Sequence, residues 1–249
     1  MTKSRLKGTI IEKQLGIPAD YQYKAIRSGN FFQSNWHNNK LIAVEGLIRP
    51  NMKILDLGTG SGNFEFRFAK SVAKIVGVDY NDEALAFLKK TLNDKKIKNV
   101  TLRQADIRSI GQAGIAEKFD LIVMMDVIEH IRIGEAKAML KQLTKMLNPR
   151  GWICIITPNY KSSWRILERL LDLVSAVPKL EDEQHLAKYD PKNLEEILES
   201  AGLVKERIGS FNLFSFLVPG KMAAGRLCRL ELKSGITYGN LLWGLFEAK

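Results

Sequence analysis

Three glycines alternate with small residues directly after an acid that ends an apolar run. The acid and the glycines are Asp56, Gly58, Gly60 and Gly62. A strand that turns through glycines into a helix presents bare backbone N–H groups at the helix N-terminus, where nucleotide-like ligands bind. A dinucleotide fingerprint has its third glycine three residues after the second, and Asn63 holds that position here. With no diphosphate to bind, Asp56 can accept hydrogen bonds from a cationic group of the ligand.

More acids follow the next strand-like runs of the chain. Asp79, Asp106 and Asp126 each come at the end of a short apolar segment, and helical patterns alternate with these segments. Such alternation implies right-handed crossovers and a parallel sheet, with ligands at the carboxyl ends of the strands. We therefore expect these three acids and Asp56 to lie along one edge of the sheet and to form a binding cleft.

The glycine turn and the spaced acids together resemble the class I S-adenosylmethionine-dependent methyltransferases. Residues 126–130, with the pattern Asp-x-x-Glu-His, and residues 157–159, Thr-Pro-Asn, are similar to the ubiquinone-biosynthesis-like group of small-molecule enzymes. The resemblance implies S-adenosyl-L-methionine as cofactor and S-adenosyl-L-homocysteine as product. It implies that Asp79 binds the ribose hydroxyls, while Asp106 and Ile107 bind adenine. The cofactor-binding residues that it implies are Asp56, Gly58, Gly60, Gly62, Asp79, Tyr80, Asp106, Ile107 and Met125.

The same resemblance implies an α/β, Rossmann-like methyltransferase fold. We expect a mostly parallel seven-stranded sheet that ends in an antiparallel hairpin, with helices on both faces. The hairpin is predicted over residues 204–208 and 211–218. The predicted domain organisation is a helical extension (1–50) that covers the cofactor and acceptor, a methyltransferase domain (51–218), and a basic and apolar appendage (219–249).

A long insertion, residues 159–190, interrupts the predicted methyltransferase domain. Its apolar residues recur at helical spacing, which predicts an amphipathic helix over residues 163–177. These residues are Trp164, Leu167, Leu170, Leu171, Val174 and Val177. The helix is interpreted as a lid whose apolar face meets a lipid-like acceptor or the membrane surface; a helix simply packed on the domain is the alternative. Asp190 and Gly202 are predicted to bound the next helix.

Methyl transfer to a hydroxyl or an acidic carbon requires a group that removes a proton, and histidine has the side-chain pKa nearest neutrality. The chain has three histidines. His185 is the first candidate, because related small-molecule enzymes have a histidine here beside the acceptor. His130 is the second candidate, and a pocket-lining role also fits it. If residues 126–130 are helical, Asp126, Glu129 and His130 share a face that could ligate a divalent ion, or Asp126 caps the helix. No metal is assigned.

The formal net charge of +11 is concentrated towards the two ends of the chain. These charges are spaced singly, without the interleaved aromatic residues of a nucleic-acid stripe, so an anionic membrane surface or ordinary solvated lysines explain them equally well. The two cysteines cannot form a disulfide framework and suit a reducing compartment. We found no signal peptide and no run of about 18 apolar residues. The sequence predicts a cytoplasmic protein, with peripheral membrane contact through residues 163–177 or the basic termini.

The leading interpretation is an enzyme that transfers a methyl group to oxygen or carbon of a small, apolar or lipid-like acceptor. The alternatives are an RNA or protein methyltransferase, and an inert protein that kept the cofactor fold. Residues 157–160, Thr-Pro-Asn-Tyr, superficially resemble the Asn-Pro-Pro-Tyr box of amino-methylating nucleic-acid enzymes, but that box follows the fourth strand. Nucleic acid is therefore not expected as a partner, and the intact glycine loop argues against an inert protein.

Overall fold

The computed structural model describes residues 18–173 and 185–248. Seven strands of these residues form one sheet: β1 (Lys53–Leu57), β2 (Lys74–Asp79), β3 (Val100–Gln104), β4 (Phe119–Met125), β5 (Leu147–Pro158), β6 (Leu203–Phe211) and β7 (Leu241–Ala248). Their order across the sheet is β3-β2-β1-β4-β5-β7-β6. The strands β1 to β5 pair in parallel, and β7 is antiparallel to both β5 and β6. The predicted Rossmann-like, mostly parallel sheet is confirmed.

Helices cover both faces of the sheet. In the described residues they are α1 (Tyr21–Ser28), α2 (Phe31–Glu45), α3 (Asn63–Phe68), α4 (Asp82–Asp94), α5 (Ile133–Thr144), α6 (Trp164–Leu173), α7 (Pro191–Glu199) and α8 (Lys221–Ser234). Leu140 of α5 and Leu194 of α7 belong to the core on one face. Val44 of α2, Phe64 of α3 and Cys228 of α8 belong to the core on the other face. Two buried layers therefore hold the strands rigidly and fix the positions of their carboxyl ends.

The closing strand pair differs from the prediction. The first strand, β6, is present, but the predicted second strand over residues 211–218 is wrong. Asn212 adopts a left-handed φ of 58°, and a 3₁₀ turn, Ser215–Leu217, follows. The carboxylate of Glu231 accepts the backbone N–H groups of Phe214 and Ser215, so these groups are not available to a strand.

The strand that completes the sheet comes from the end of the chain. β7 inserts between β5 and β6, with Leu241 paired to both Pro158 and Phe211. Residues 219–249 were predicted to be an appendage, and this is wrong for the part that forms α8 and β7. The apolar run of β7 is buried on both faces because it lies inside the sheet, not at its edge.

The segment after β5 contains the predicted amphipathic helix. It forms α6, Trp164–Leu173, whereas residues 174–177 of the prediction lie outside the described residues. The predicted start of the next helix is confirmed, since Asp190 and Asn193 form a capping box at the start of α7. Among the described residues, no helix is both long and apolar enough to cross a bilayer.

Candidate active site

The glycine turn after β1 approaches its neighbours very closely. Gly58, Gly60 and Gly62 have φ angles of 73°, 49° and 84°, which L side chains rarely adopt. A Cβ atom built on Gly58 would lie 2.4 Å from Cγ2 of Val127, and one on Gly62 would lie 2.1 Å from Cδ1 of Leu88. The three predicted glycines therefore shape a tight loop at the carboxyl edge of the sheet.

Asp79, at the end of β2, holds this loop in place. Its carboxylate accepts hydrogen bonds from the backbone N–H of Gly60 at 2.8 Å and of Asn81 at 2.9 Å. Gly60 and Asn81 line a large cavity over this edge of the sheet. Tyr80, which lies between Asp79 and Asn81 in the sequence, is half-buried. Asp79 thus lies beside the glycine loop, at the carboxyl edge of the sheet, where the sequence predicts it.

Asp106 lies beyond β3, where Arg108 binds its carboxylate. The Arg108 guanidinium donates to both oxygens of Asp106, at 3.0 and 2.7 Å. Burial alone would raise the pKa of Asp106, but the hydrogen bonds from Arg108 outweigh it and lower this pKa. Ile107 is partly buried against the core under the sheet. In the described part of the chain, neither Asp106 nor Ile107 lines the large cavity.

Asp56 shares a dry site with a second carboxyl group, Glu65 of α3. Asp56 is 2% exposed and Glu65 is fully buried, and the Thr59 hydroxyl donates to Glu65 Oε1. Burial raises the pKa of Glu65 to about 7; burial and then repulsion by Glu65 raise the pKa of Asp56. Within the described residues, Asp56 Oδ2 has no hydrogen-bond donor. The site therefore offers Asp56 Oδ2 as an acceptor, and a cationic ligand bound there would favour the ionised form of this carboxyl pair.

The raised pKa of Glu65 is expected to make the free energy of unfolding depend on pH. Because its pKa is raised on folding, the neutral form stabilises the fold below pH 4.5, and this contribution is lost as the pH rises through about 7. We expect the Glu65→Gln variant to lack this fall in the free energy of unfolding, which amounts to up to about 3 kcal/mol. Urea unfolding across this pH range measures it. Glu83→Gln, at an exposed position of α4, is the control that should keep the wild-type profile.

A cavity of about 580 Å³ lies over the carboxyl edge of the sheet. It extends from Gly60 and Ser61 of the glycine loop to a chamber under α2 and α6. Aromatic side chains form the wall of this chamber: Phe32, Trp36, Trp164 and Phe216. The Trp36 ring centroid lies 5.3 Å from those of Trp164 and Phe216. The polar residues that line the cavity include His37, Lys40, Asp126, Glu129, His130 and His185.

Both predicted catalytic histidines line this cavity. The ring centroids of His130 and His185 are 5.3 Å apart. Buried Glu129 accepts a hydrogen bond from Thr157 at 2.9 Å, while its other oxygen has no partner in the part of the chain described here. One ligand atom each from Glu129, His130 and His185 lie within 4.8 Å of one another, so a divalent ion could be held there.

Asp126 is arranged differently from both predicted alternatives. It has a left-handed φ of 56°, and the 3₁₀ turn after it begins only at Ile128, so Asp126 neither caps a helix nor shares a helical face with Glu129. Its carboxylate forms an ion pair with the buried Lys40 ammonium of α2. The neighbouring His37 is half-buried, and its desolvation, followed by the Lys40 charge, lowers its pKa to about 3. Met125, the last residue of β4, lines a small adjoining cavity together with Asp56, Gly58 and Lys40.

Four polar residues of this region were not identified from the sequence. Lys40, Glu65 and Glu168 belong to helices, and Tyr160 follows β5. Polar residues on helices are usually solvent-exposed, so pattern alone gave no reason to single them out. Tyr160 adjoins the Thr-Pro-Asn signature, which is the only signal in the sequence that could have found it.

Comparisons with known proteins identify the family and the fold. The family model for the methyltransferase domain matches residues 48–202, more than half of the chain. An uncharacterized protein of Rickettsia prowazekii is 29% identical over 183 residues, covering 66% of this chain and 72% of the relative. The ubiquinone biosynthesis O-methyltransferase of Rhizobium johnstonii is 26% identical over 168 residues, covering 66% of this chain and 65% of the relative. The chain thus spans just under two thirds of the length of that enzyme.

Solved structures share the fold over almost the whole chain. Magnesium protoporphyrin IX methyltransferase from Synechocystis PCC 6803, crystallised with S-adenosylhomocysteine, has a TM-score of 0.64 at 14% identity, with 100% of both chains covered. The N-methyltransferase NodS from Bradyrhizobium japonicum WM9, also with that product, has a TM-score of 0.61 at 15% identity, covering 97% of this chain and 98% of the other. The glycine loop, the sheet order and the matched family model lead to one conclusion: the chain belongs to the methyltransferase domain family, the class I S-adenosylmethionine-dependent methyltransferases.

Proposed function

We propose that this enzyme transfers the methyl group of S-adenosylmethionine to oxygen or an acidic carbon of a small, apolar, lipid-like acceptor. The observation that carries the proposal is the shape and lining of the 580 Å³ cavity. One end is the glycine loop, and the other is a chamber with aromatic walls and three histidines, His37, His130 and His185. An apolar acceptor fits such walls, and the histidines lie where its acidic proton would be removed.

The residues around the glycine loop fit the cofactor. Asp56 Oδ2, which has no hydrogen-bond partner in the part of the chain described, suits the cationic amino group, and the tight loop leaves no room for a side chain at Gly58 or Gly62. When bound, S-adenosylmethionine supplies an electrophilic methyl group. Asp79 and Tyr80 are proposed to border the ribose. Asp106 and Ile107 are proposed at the adenine, where Asp106 would share its carboxylate between the amine and Arg108.

The remaining lining residues are proposed to act on the acceptor. Trp36, Trp164 and Phe216 exclude water and hold an apolar body, since aromatic side chains supply large contact areas at little entropic cost. His185, with His130 beside it, accepts the proton. The base can work near neutral pH because histidine titrates in that range.

Labelled cofactor tests the proposed function. The enzyme is incubated with S-adenosylmethionine that carries a radioactive methyl group and with cell extract separated into lipid, RNA and protein fractions. We expect label in the lipid fraction, also in a parallel reaction that contains a chelator. Label only in RNA or protein would contradict the proposed acceptor, and calorimetry showing no affinity for S-adenosylhomocysteine would contradict the cofactor assignment. If label is lost only in the reaction that contains the chelator, a metal would be assigned to Glu129, His130 and His185.

We further propose that the outer face of α6 contacts the membrane in which a lipid-like acceptor dissolves. Ile166, Leu170 and Leu173 are 66%, 52% and 80% exposed, although they are large and apolar. The opposite face carries Trp164 and Leu167, which line the cavity. A helix with this distribution can lie in the membrane interface while its inner face borders the acceptor chamber.

A triple serine variant of Ile166, Leu170 and Leu173 tests this contact. We expect at least about tenfold weaker co-sedimentation with phosphatidylcholine vesicles, because three large apolar side chains no longer enter the interface. Val204→Ser is the matched control, since Val204 is also exposed but lies at the start of β6, at the opposite edge of the sheet. Equal vesicle binding by the triple variant and the wild type would remove α6 from the membrane contact.

A further inference from the structure

The inner face of α6 contains a buried carboxylate that the reaction described above does not use. Glu168 is 1% exposed, whereas Ile166 and Leu170, two positions away on either side, are exposed. A buried carboxylate is unfavourable unless it is hydrogen-bonded. Glu168 is therefore expected to have specific partners, and both of those partners lie near the acceptor chamber.

The partners of Glu168 are His185 and Tyr160. Glu168 Oε1 lies 2.5 Å from Nδ1 of His185 and accepts a hydrogen bond from the Tyr160 hydroxyl at 2.6 Å. The Tyr160 oxygen is also 3.0 Å from the same ring nitrogen. Burial, and then the hydrogen bond to Glu168, raise the pKa of Tyr160, so this hydroxyl keeps its proton and acts as a donor.

This arrangement selects one tautomer of His185. An ionised carboxylate only accepts hydrogen bonds, so the ring nitrogen at 2.5 Å must carry a proton. The neutral ring then has its proton on Nδ1 and a lone pair on Nε2. His185 is 5% exposed and lines the acceptor cavity, so Nε2 is the nitrogen left to act as a base.

The charges around His185 also favour its protonated form. Burial lowers the pKa of His185, but the hydrogen bond that its ring donates to Glu168 and the charges of Glu129 and Asp126 raise it, and the net shift is upward. Glu168 belongs to α6, whereas Glu129 lies in the turn after β4. An imidazolium formed in the reaction is thereby stabilised without solvent.

We propose that Glu168 is the positioning residue of this site and that it fixes His185 as the general base. This inference depends on the proposed function. The acceptor hydroxyl gives its proton to Nε2 of His185, while Glu168 keeps its hydrogen bond from Nδ1–H. The imidazolium afterwards releases the proton from Nε2 to water. Tyr160 supports Glu168 by donating the second hydrogen bond to the same oxygen.

The tautomer of His185 is measured by NMR of protein with ¹⁵N-labelled histidine, with S-adenosylhomocysteine and a chelator present. Three histidine signals are expected, and the His37→Gln and His130→Gln variants assign them. At alkaline pH, where the ring is neutral, we expect the proton of His185 on Nδ1. In Glu168→Gln the amide can donate to Nδ1, so the proton should move to Nε2. A wild-type His185 with its proton on Nε2 would overturn the proposal.

Kinetics distinguish positioning from a structural role. With a cell lipid extract as acceptor, we expect Glu168→Gln to lower the maximal rate by about 10²-fold or more and to leave the KM for S-adenosylmethionine nearly unchanged. Glu168→Asp should restore part of the rate, and Glu196→Gln, on the exposed side of α7, should be neutral.

Two outcomes would contradict the role of Glu168. One is a folded Glu168→Gln variant with the wild-type rate. If that variant does not fold, the contradicting outcome is that Glu168→Asp and Tyr160→Phe, as separate variants, each keep the wild-type rate and the wild-type tautomer of His185. Calorimetry with S-adenosylhomocysteine on the same samples separates the two proposals. If the wild type does not bind this product, the proposed function is contradicted. The NMR result on the tautomer of His185 still decides the role of Glu168.

Discussion

Replacing Gly58 with alanine is expected to destabilise the fold by about 2–5 kcal/mol and to abolish binding of S-adenosylhomocysteine. The backbone at Gly58 has φ 73°, and an L residue in this left-handed region costs about 1–2 kcal/mol. The new Cβ would also lie 2.4 Å from Cγ2 of Val127. Val127 cannot turn away easily, because a β-branched side chain is stiff at χ1 and its surroundings are buried. Overpacking of this kind costs about 1–3 kcal/mol more.

Urea unfolding and calorimetry measure the two effects of the Gly58→Ala change. Gly114→Ala is the matched control: Gly114 also has a positive φ, 68°, but a Cβ built there meets no atom within 4 Å. The control should lose only the conformational part, about 1–2 kcal/mol, and keep its affinity for the product. If both variants lose the same free energy of unfolding, the close approach of Gly58 to Val127 is not what requires glycine at this position.

The edge of the sheet that holds the site could be predicted from the sequence alone. Asp56, Asp79 and Asp126 each follow a short apolar run, and such runs are typical of parallel strands buried on both faces. Parallel strands place their carboxyl ends together, so the positions of these acids follow from local pattern plus one topological rule. The glycine turn is equally local, since three positive φ angles within five residues require glycine.

The features that could not be predicted depend on contacts between residues that are distant in the sequence. β7 is an apolar run, but nothing local shows that it crosses to pair with β5 from the far end of the chain. The polar residues Lys40, Glu65 and Glu168 lie on helices, yet all three are buried beside the site instead of facing solvent. Whether a charged helical residue is buried depends on what the helix packs against, and a periodic pattern does not contain that information. Their partners, Asp126, Thr59 and His185, come from separate elements.

Changing Lys40 to methionine is expected to lower the free energy of unfolding by about 3 kcal/mol at neutral pH. The Lys40 side chain is 5% exposed and forms an ion pair with Asp126, whose side chain is 27% exposed towards the cavity. Breaking a buried pair by removing one partner costs about 3–5 kcal/mol, and the partial exposure of Asp126 favours the lower end. Methionine fills the space of the lysine stem, so the loss reports the charge and not a void.

The double variant Lys40→Met with Asp126→Asn tests whether the charges are coupled. With both charges removed, no uncompensated carboxylate is left, so the double variant should be more stable than the sum of the single losses predicts. Burial raises the pKa of Asp126 and the Lys40 charge lowers it, with a net lowering; the pair therefore stabilises the fold above the unfolded pKa of Asp126, and this is lost as the pH falls.

The acid-side slope of the unfolding free energy should accordingly be shallower in Lys40→Met than in the wild type. Lys205→Met is the control, because Lys205 forms a comparable pair with Glu195 at the surface, where such pairs contribute about 1 kcal/mol or less. If Lys40→Met and Lys205→Met lose the same small amount, the Lys40–Asp126 pair is solvated, and the junction between the glycine loop and the acceptor chamber is open to water. A loss confined to Lys40→Met instead means that the two cavities meet at a dry, charge-paired wall, as a water-excluding transfer site requires.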